Sequence, residues 1–469
     1  MTSTIDPGER RGAEGRPQGD IGTPASWRLI ALGVLIVGLV AGWLVATSAA
    51  GPGVALAIAL VAFVVAAAAA FAGRRAPIAE PLAAAATGRL PTLSVLIPVR
   101  DEANVIGRLV EDLANQDHRT SEGPAFEVIV VDDRSTDGTG TAAEAAAEEA
   151  GAASFIRVAR RAGAELSDGK GAALTLVQPE ACRGEGIVVL DGDARVGPTF
   201  LRTLAGYLAA GAVAVTPRRQ TNTHDATWLT SAQAVEQAQD GALQRGRWAF
   251  GGCSELRGNG MTVRRNALAA VGGWRAEELT EDLDLSSRLA ARLGVTVAWA
   301  IDAVVVEEPV RRVGSLWRQR LRWAEGSIRR VFEHGVEVLA SPLLPIRAKL
   351  DFAGYVGQLV AAPLILGTLA AAARTGLVLA SATFIGGYIA ASGLLAWVGL
   401  GREAAVDGAA LTAARRFGSA ILAAAFSVLW LAAIPGAFVR LALRRGPLTF
   451  AKTVHGGVPP EAEPVAERG

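Results

Sequence analysis

Four short motifs contain most of the side chains with which this sequence could do chemistry. Paired carboxylates can hold a divalent cation that bridges diphosphate oxygens, and a further carboxylate can take a proton from a hydroxyl group. Arginine can pair with phosphate, and tryptophan offers a flat platform for a sugar ring. The set suits a site for a nucleotide diphosphate and an acceptor hydroxyl. In chain order the motifs are Val131-Asp132-Asp133, Asp191-Gly192-Asp193, Thr280-Glu281-Asp282 and Gln319-Arg320-Leu321-Arg322-Trp323.

Asp191 and Asp193 follow an apolar run that ends at Leu190. Two carboxylates two residues apart at a strand end can bind Mg²⁺ or Mn²⁺, directly or through water. The alternative is an ordinary turn without a ligand. The chain has only four histidines and two cysteines, so any metal is expected to be hard and bound by oxygen.

Asp132 and Asp133 also follow a strand-like run and precede a predicted helix. A carboxylate there can accept a hydrogen bond from a uracil N–H or from ribose hydroxyls. The alternative is that Ser135 or Asp137 in the same stretch only caps the helix. Lys170 lies between two glycines, where an ammonium group can approach a phosphate. Its alternative is a solvated loop.

Thr280-Glu281-Asp282 precedes a helical apolar pattern. It could be a helix cap with acids in the first turn, and that role is compatible with catalysis, because a helix start holds a carboxylate rigidly. A general base in this motif would deprotonate the acceptor and contribute on the order of 10²–10⁴ in rate. Gln319 and Trp323, four residues apart, share a helix face. That helix could alternatively lie on anionic lipid as a basic amphipathic helix.

Residues 92–335 alternate between strand-length apolar runs and helical stretches. Strands are predicted at 93–97, 126–131 and 186–190, with helices at 103–115 and 138–150. This alternation predicts an α/β domain with a mostly parallel, Rossmann-like sheet. Ligands bind beyond the carboxyl ends of such strands, where the Asp132-Asp133 and Asp191-Asp193 pairs fall.

Apolar runs long enough to cross a bilayer flank this domain on both sides. Those in 28–73 predict a helical hairpin whose arginine-rich flanks face the cytosol, and 353–440 contains about three more spans. Five spans would place the C-terminal tail, 441–469, outside, whereas its basic residues favour inside. Either the third or the fourth run is then not a simple crossing, or the charge rule fails. The other predicted segments are a disordered tail, 1–27, and an interfacial stretch, 336–352.

The net charge of +1 argues against a nucleic-acid partner. The spans predict a multi-pass protein of the inner or plasma membrane with a cytosolic catalytic domain. Cys182 and Cys253 fall in that domain, so a disulfide is not expected. The spans also carry almost no ionisable residues, which argues against a transporter.

Taken together, these motifs resemble the D, D, D, QxxRW signature of the family 2 inverting glycosyltransferases, in particular the membrane-embedded polysaccharide synthases. Residues 97–102 are similar to the family's P-x-x-N-E strand end, with Asp101 where Asn is usual. Trp274, after two glycines, matches another family turn. The resemblance covers roughly residues 93–332, and residues 450–455 resemble the gating segment of such synthases.

The resemblance implies a GT-A fold and a role for each motif residue. Gln319, Arg322 and Trp323, with Glu281, would hold the acceptor end and the diphosphate. Asp282 would be the catalytic base, and Asp191 with Asp193 would hold Mg²⁺ or Mn²⁺. The residues that would bind the donor are Asp101, Glu102, Asp132 or Asp133, Lys170 and Asp191.

The function expected from this resemblance is processive transfer of a sugar from a UDP-sugar, either UDP-GlcNAc or UDP-Glc, to a growing polysaccharide. The expected partners are that donor, a glycan or lipid acceptor, the lipid bilayer and possibly a small membrane accessory subunit. One alternative is a non-processive transferase that glycosylates a membrane lipid. A second is a non-catalytic membrane scaffold with a decayed domain.

Overall fold

An eight-stranded sheet lies between the two groups of apolar helices. The computed structural model describes residues 23–74, 89–161 and 169–444. The predicted tails, and with them residues 450–455, lie almost wholly outside these ranges. The strands are β1 (Leu93–Val99), β2 (Arg119–Thr120), β3 (Gly123–Pro124), β4 (Phe126–Asp133), β5 (Ile156–Arg161), β6 (Gly186–Val189), β7 (Arg195–Val196), β8 (Ala214–Thr221), β9 (Met261–Arg264) and β10 (Ala298–Glu307).

The sheet is mostly parallel and has the order β5-β4-β1-β6-β9-β8-β10-β7, with β2 and β3 forming a separate hairpin. Strand β1 pairs in parallel with β4 and β6, β4 with β5, and β8 with β10. Strand β9 runs antiparallel between β6 and β8. Every residue of β4 is buried, as expected for a β-branched run covered on both faces. The predicted α/β fold of GT-A type is confirmed, and the carboxyl ends of β1, β4 and β6 lie at one edge.

Two hydrophobic layers, one on each face, hold the sheet. Helix α3 (Ala103–Ala114) buries five apolar side chains at helical spacing against one layer. The other helices of this region are α4 (Thr139–Glu149), α5 (Lys170–Leu174), α6 (Phe200–Ala209), α7 (Trp228–Phe250), α8 (Arg265–Ala270), α9 (Glu281–Leu293) and α10 (Val313–Ala340).

Five apolar helical segments are long enough to cross a membrane. The stretch 336–352, expected to be a separate interfacial segment, is instead shared between the end of α10, a short turn and the start of the next helix. The segments are α1 (Ala25–Thr47), α2 (Gly51–Ala72), α11 (Ile346–Thr375), α12 (Leu379–Val406) and the pair α13 (Ala413–Ser427) and α14 (Leu429–Leu443).

The pair α13–α14 begins on the side of the bundle that faces the sheet. Asp407, just after α12, forms an ion pair with Arg218 of β8 at 2.5 Å. In the first turn of α13, Arg416 donates to the Trp397 carbonyl near that same end of α12, at 2.6 Å. The chain therefore enters α13 next to the catalytic domain.

The same pair also ends on this side. Arg444 donates to Glu325 of α10 at 2.9 Å, and Arg28 at the start of α1 donates to the Ala442 carbonyl at 3.3 Å. A single residue, Val428, separates α13 from α14, and Tyr388 donates to the Ser427 carbonyl at this break. The segment therefore bends at Val428, and its two ends lie on the same side of the bundle. The bend itself contacts the catalytic domain, because Phe426 and Leu429 pack against Leu229 and Val310.

Helices α1 and α11 pack backbone against backbone through glycines. A Cβ added to Gly367 would overlap the backbone of Leu39, and one added to Gly42 would overlap the carbonyl of Leu364. Small residues at such contacts let membrane helices approach closely. These two helices therefore leave no gap between them at this level.

We expect Gly367→Ala to lower stability by about 1–3 kcal/mol, because the added methyl group overpacks the α1–α11 contact. Gly354→Ala on the same helix is the matched control, since nothing lies within 4 Å of its position. There the better helix propensity of alanine should be neutral or stabilising by up to about 1 kcal/mol. Thermal unfolding of the two variants in detergent measures the difference. Equal melting temperatures would contradict the proposed contact.

Candidate active site

The predicted acidic residues meet at the carboxyl-end edge of the sheet. Asp191 and Asp193 follow β6, and Glu102 follows β1, the strand next to β6 in the sheet. The Glu102 carboxylate lies directly against Gly192, so closely that a Cβ on this glycine would overlap it. The backbone N–H of Asp191 donates to Asn259 Oδ1 at 3.1 Å, which fixes the loop from its other side.

Lys170, at the start of α5, connects the two acidic motifs. Its Nζ lies 2.6 Å from Asp191 Oδ1, 3.5 Å from Glu281 Oε1 and 2.8 Å from the Gly258 carbonyl. Burial by itself lowers the pKa of Lys170, but the carboxylates of Asp191 and Glu281 outweigh it and raise the pKa. The ammonium group is therefore charged at any physiological pH and available to a phosphate.

Glu281 and Asp282 occupy the first turn of α9. A Cβ built on Gly258 would lie 3.4 Å from Lys170 Nζ, 3.5 Å from Glu281 Oε1 and 3.7 Å from Asp282 Oδ2, so the three groups converge on one point. Glu281 is buried, and this burial raises its pKa, although Lys170 acts against the rise. Asp282 is more exposed than Glu281.

The side chain of Thr280 makes no capping hydrogen bond, although this residue stands in the N-cap position of α9. It packs instead against Gly326 of α10, where an added Cβ would overlap it. The helix-cap alternative for this motif is therefore not realised through the threonine hydroxyl. The contact holds α10 against the start of α9.

The acids at the end of β4 are engaged within the protein. Asp133 accepts from Arg161 at 2.9 Å across the parallel β4–β5 pair, and from the adjacent Arg134 at 3.0 Å. Asp132 accepts from the Ser135 N–H at 3.0 Å and is buried. Of the two candidates for a nucleoside contact, Asp133 thus already has a strong ionic partner.

Asp101 shapes the loop that joins β1 to α3. It has a positive φ of 51° and accepts from the Thr136 N–H at 2.7 Å. Asp137 accepts from Ala103 N and Thr139 N, each at 3.0 Å, so its side chain serves helix starts as the capping alternative predicted.

Gln319, Arg322 and Trp323 lie within about one turn of α10. Burial lowers the pKa of Arg322, and the negative charges of Glu281 and Asp191 oppose this effect. The structure therefore brings the arginine of this helix and the carboxylates of the sheet edge to one region.

Asp191 and Asp193 have the oxygen chemistry that a magnesium or manganese ion requires. Burial, followed by the negative charges of Asp191 and Glu307, raises the pKa of Asp193 to about 7. Within the described ranges, no three acidic, histidine or cysteine side chains form a complete metal cage. Magnesium is usually held by one or two carboxylates together with substrate phosphates, so the residues fit such an ion.

The sequence motifs missed a buried ionic cluster next to Gly258. Glu255 is 2% exposed and pairs with Arg330 at 2.5 Å, Arg257 at 3.1 Å and Arg247 at 3.5 Å. Burial alone would raise the pKa of Glu255, but the three guanidinium groups hold it far below its usual range. Arg257 immediately precedes Gly258, so this cluster supports the wall on which Lys170 and Asp282 converge. A lone Glu-Leu-Arg stretch gives no sequence signal for it.

We expect Gly192→Ala to raise the KM for the sugar nucleotide, because its methyl group would displace the Glu102 carboxylate or the Asp191–Asp193 loop. The expected loss is at least tenfold in kcat/KM, with little change in melting temperature. Gly197→Ala, a few residues on where nothing lies within 4 Å, is the control. Steady-state kinetics that match for the two variants would show that the close approach is unimportant.

Comparison with known protein families identifies the family of the α/β domain. The model of "Glycosyltransferase like family 2" matches residues 91–326, half of the chain. The chain belongs to this family. The predicted enzyme class, a glycosyltransferase, is confirmed.

Relatives extend the similarity beyond the domain. The chain is 32% identical to a β-monoglucosyldiacylglycerol synthase of Synechocystis sp. over 396 residues, 81% of this chain and 78% of the relative. A protein of the same name from Nostoc sp. is 36% identical over 252 residues, 53% of this chain and 51% of the relative. Among solved structures, a mannosyltransferase from Pyrobaculum calidifontis has a TM-score of 0.47 and 21% identity, covering 89% of this chain and 99% of that one.

The prediction of a processive polysaccharide synthase is wrong. The poly-β-1,6-N-acetyl-D-glucosamine synthase of Staphylococcus aureus matches only 117 residues, 25% of this chain, at 29% identity. The matches that cover most of the chain are to enzymes named for a glycolipid product. The motifs do not distinguish the two kinds of enzyme, because donor binding and proton removal need the same residues whether the acceptor hydroxyl belongs to a glycan or to a lipid.

Proposed function

We propose that this protein transfers a single glucosyl group from a UDP-sugar to the free hydroxyl of diacylglycerol or a similar glycerolipid, with inversion to a β-linkage. The observation that carries the proposal is the match to the Synechocystis enzyme over 81% of the chain. That match extends far outside the family 2 domain, so it includes apolar helices as well as the donor site. Similarity in the apolar helices supports a shared type of acceptor. The donor-site motifs alone do not identify the acceptor.

The packing of α10 supports a lipid acceptor. The helix that carries Gln319, Arg322 and Trp323 lies against α14, through the ion pairs of Glu325 with Arg440 and Arg444. A hydroxyl group at the bilayer surface can therefore reach this helix without leaving the membrane. The direct contact between α1 and α11 is also consistent with a product that stays in the membrane.

In the proposed reaction the acceptor oxygen attacks the anomeric carbon while the bond from that carbon to the diphosphate oxygen breaks. Asp282 takes the hydroxyl proton, and the nucleoside diphosphate leaves with the bonding electron pair. Lys170 and Arg322 supply positive charge for the diphosphate. Trp323 would pack against the acceptor, and Glu102 would hold the Gly192 loop in place.

Asp191 and Asp193 are the residues proposed to hold Mg²⁺ or Mn²⁺. Such an ion, when bound, neutralises charge on the diphosphate oxygens. The Lys170–Asp191 contact places the ammonium group next to these carboxylates, so both positive charges would act on the same leaving group.

We further propose that the catalytic domain is cytosolic. Arg28, Arg74, Arg440 and Arg444 all lie at helix ends on the domain side of the bundle, which is the distribution that the positive-inside rule associates with the cytosol. The accessory subunit expected for a polymer synthase has no support among the relatives and is not part of the proposal.

The test is nucleotide release by the purified protein in mixed micelles, with a panel of UDP- and GDP-sugars, with and without diacylglycerol. The proposal expects UDP release from UDP-glucose that depends on diacylglycerol and on Mg²⁺ or Mn²⁺. Release that is unaffected by the lipid, or that prefers a GDP-sugar, would contradict it.

A further inference from the structure

Arg320, inside the Gln-Arg-Leu-Arg-Trp motif but outside its expected functional set, is the most enclosed residue of that motif. It is 2% exposed. Its guanidinium carbon lies 4.4 Å from the ring centre of Trp323 and 5.5 Å from that of Trp430. The charge therefore lies between one tryptophan of the acceptor helix α10 and one tryptophan of the apolar helix α14.

Glu236 of α7 completes the group. It forms a close ion pair with Arg320 through one carboxylate oxygen, and its other oxygen accepts from Trp430 Nε1 at 2.8 Å. Three helices thus meet at one buried charge pair. Arg320 donates through Nη1 to Gln319 and through Nη2 to Glu236, whereas its Nε is buried without a hydrogen-bond partner. Removing one partner of a buried ion pair is strongly destabilising, so the position of the guanidinium group depends on Glu236.

Arg320 also donates to Gln319 Oε1 at 2.9 Å. A guanidinium group can only donate, so it holds the oxygen end of this amide and leaves the amide Nε2 as the end that can face a ligand. It covers Trp323 in the same way, from one face. Both side chains expected to touch the acceptor are therefore oriented by the same residue.

We propose that Arg320 is a positioning residue for the acceptor, anchored by Glu236 and Trp430. It orients the side-chain amide of Gln319 so that the N–H group can donate a hydrogen bond to an oxygen of the acceptor substrate. It also fixes the plane of the Trp323 ring. Through Trp430, a helix of the lipid-embedded bundle determines this arrangement. The inference rests on the proposed function for the identity of the acceptor.

The test uses Trp430→Phe, which keeps an aromatic ring but removes the N–H that Glu236 accepts, and Glu236→Gln. Both should raise the acceptor KM in diacylglycerol micelles about tenfold, as expected for loss of a hydrogen bond to a charged group. The affinity for UDP should not change. Hydrogen exchange should become faster in residues 316–324 of α10 and stay unchanged in α9.

Trp397→Phe is the matched control, because Arg416 lies over Trp397 at 4.2 Å in a similar contact that is not connected to α10. It should leave the acceptor KM and the exchange of α10 unchanged. A Gln319→Glu variant tests the polarity: it can still accept from Arg320 but offers no donor, so it too should raise the acceptor KM.

The inference would be overturned if Trp430→Phe had the acceptor KM of the wild type, or if Trp397→Phe changed the acceptor KM equally. Either result would leave the proposed function intact. Absence of transfer to diacylglycerol by the wild-type protein would refute the proposed function instead. In that case, hydrogen exchange in α10 still decides the inference, because it needs no acceptor. Unchanged exchange in Trp430→Phe would overturn it.

Discussion

Asp282→Asn is expected to lower the rate of sugar transfer by a factor on the order of 10²–10⁴ while UDP binding stays close to that of the wild type. The amide keeps the shape of the side chain but cannot take the acceptor proton. Single-turnover transfer with labelled donor measures the loss, and calorimetry with UDP measures the binding.

Glu281→Gln is the informative comparison for this result. Glu281 pairs with Lys170, so its loss should mainly weaken donor binding and raise the donor KM. If Asp282→Asn transferred sugar at the wild-type rate, or if Glu281→Gln alone abolished turnover at saturating donor, the assignment of the base would be wrong.

Glu255→Gln is expected to lower the stability of the protein by about 3–5 kcal/mol, because it leaves three buried guanidinium groups without their shared carboxylate. Arg330, Arg257 and Arg247 come from α10, the loop before β9 and α7, so the loss should be felt across the domain. Thermal unfolding in detergent measures the change.

The control for this variant is Glu144→Gln, which removes one carboxylate from a surface pair with Arg160. Both side chains of that pair are 45% exposed. Exposed pairs contribute about 0–1 kcal/mol, so the melting temperature should hardly move. Similar shifts in melting temperature for the two variants would show that the buried cluster around Glu255 contributes little to the stability of the domain.

The location of the site could be predicted from the sequence because it follows from strand pattern alone. Parallel strands end at one edge, so acids placed after β1, β4 and β6 had to meet there. The side chains of Lys170 and Glu281 also converge with Asp191 at this edge. The exact partners were not predictable: the pairing of Asp133 with Arg161 depends on the register of β4 against β5, which no local pattern specifies.

The buried group around Arg320 could not be predicted, for a different reason. Its elements come from distant parts of the chain: Glu236 in α7, Arg320 in α10 and Trp430 in α14. Each alone reads as an ordinary helix residue. The sequence does not predict the bend at Val428 either, because the run from 413 to 443 has the length and composition of a simple membrane crossing.

The central claim is that one sugar is transferred to a membrane lipid. Its most direct test is mass spectrometry of the product formed from isotope-labelled UDP-glucose by the purified protein in vesicles containing diacylglycerol. The account predicts a lipid-soluble product with a single β-linked glucosyl group, absent in Asp282→Asn. Label found only in free glucose, or in chains of many sugars, would contradict it.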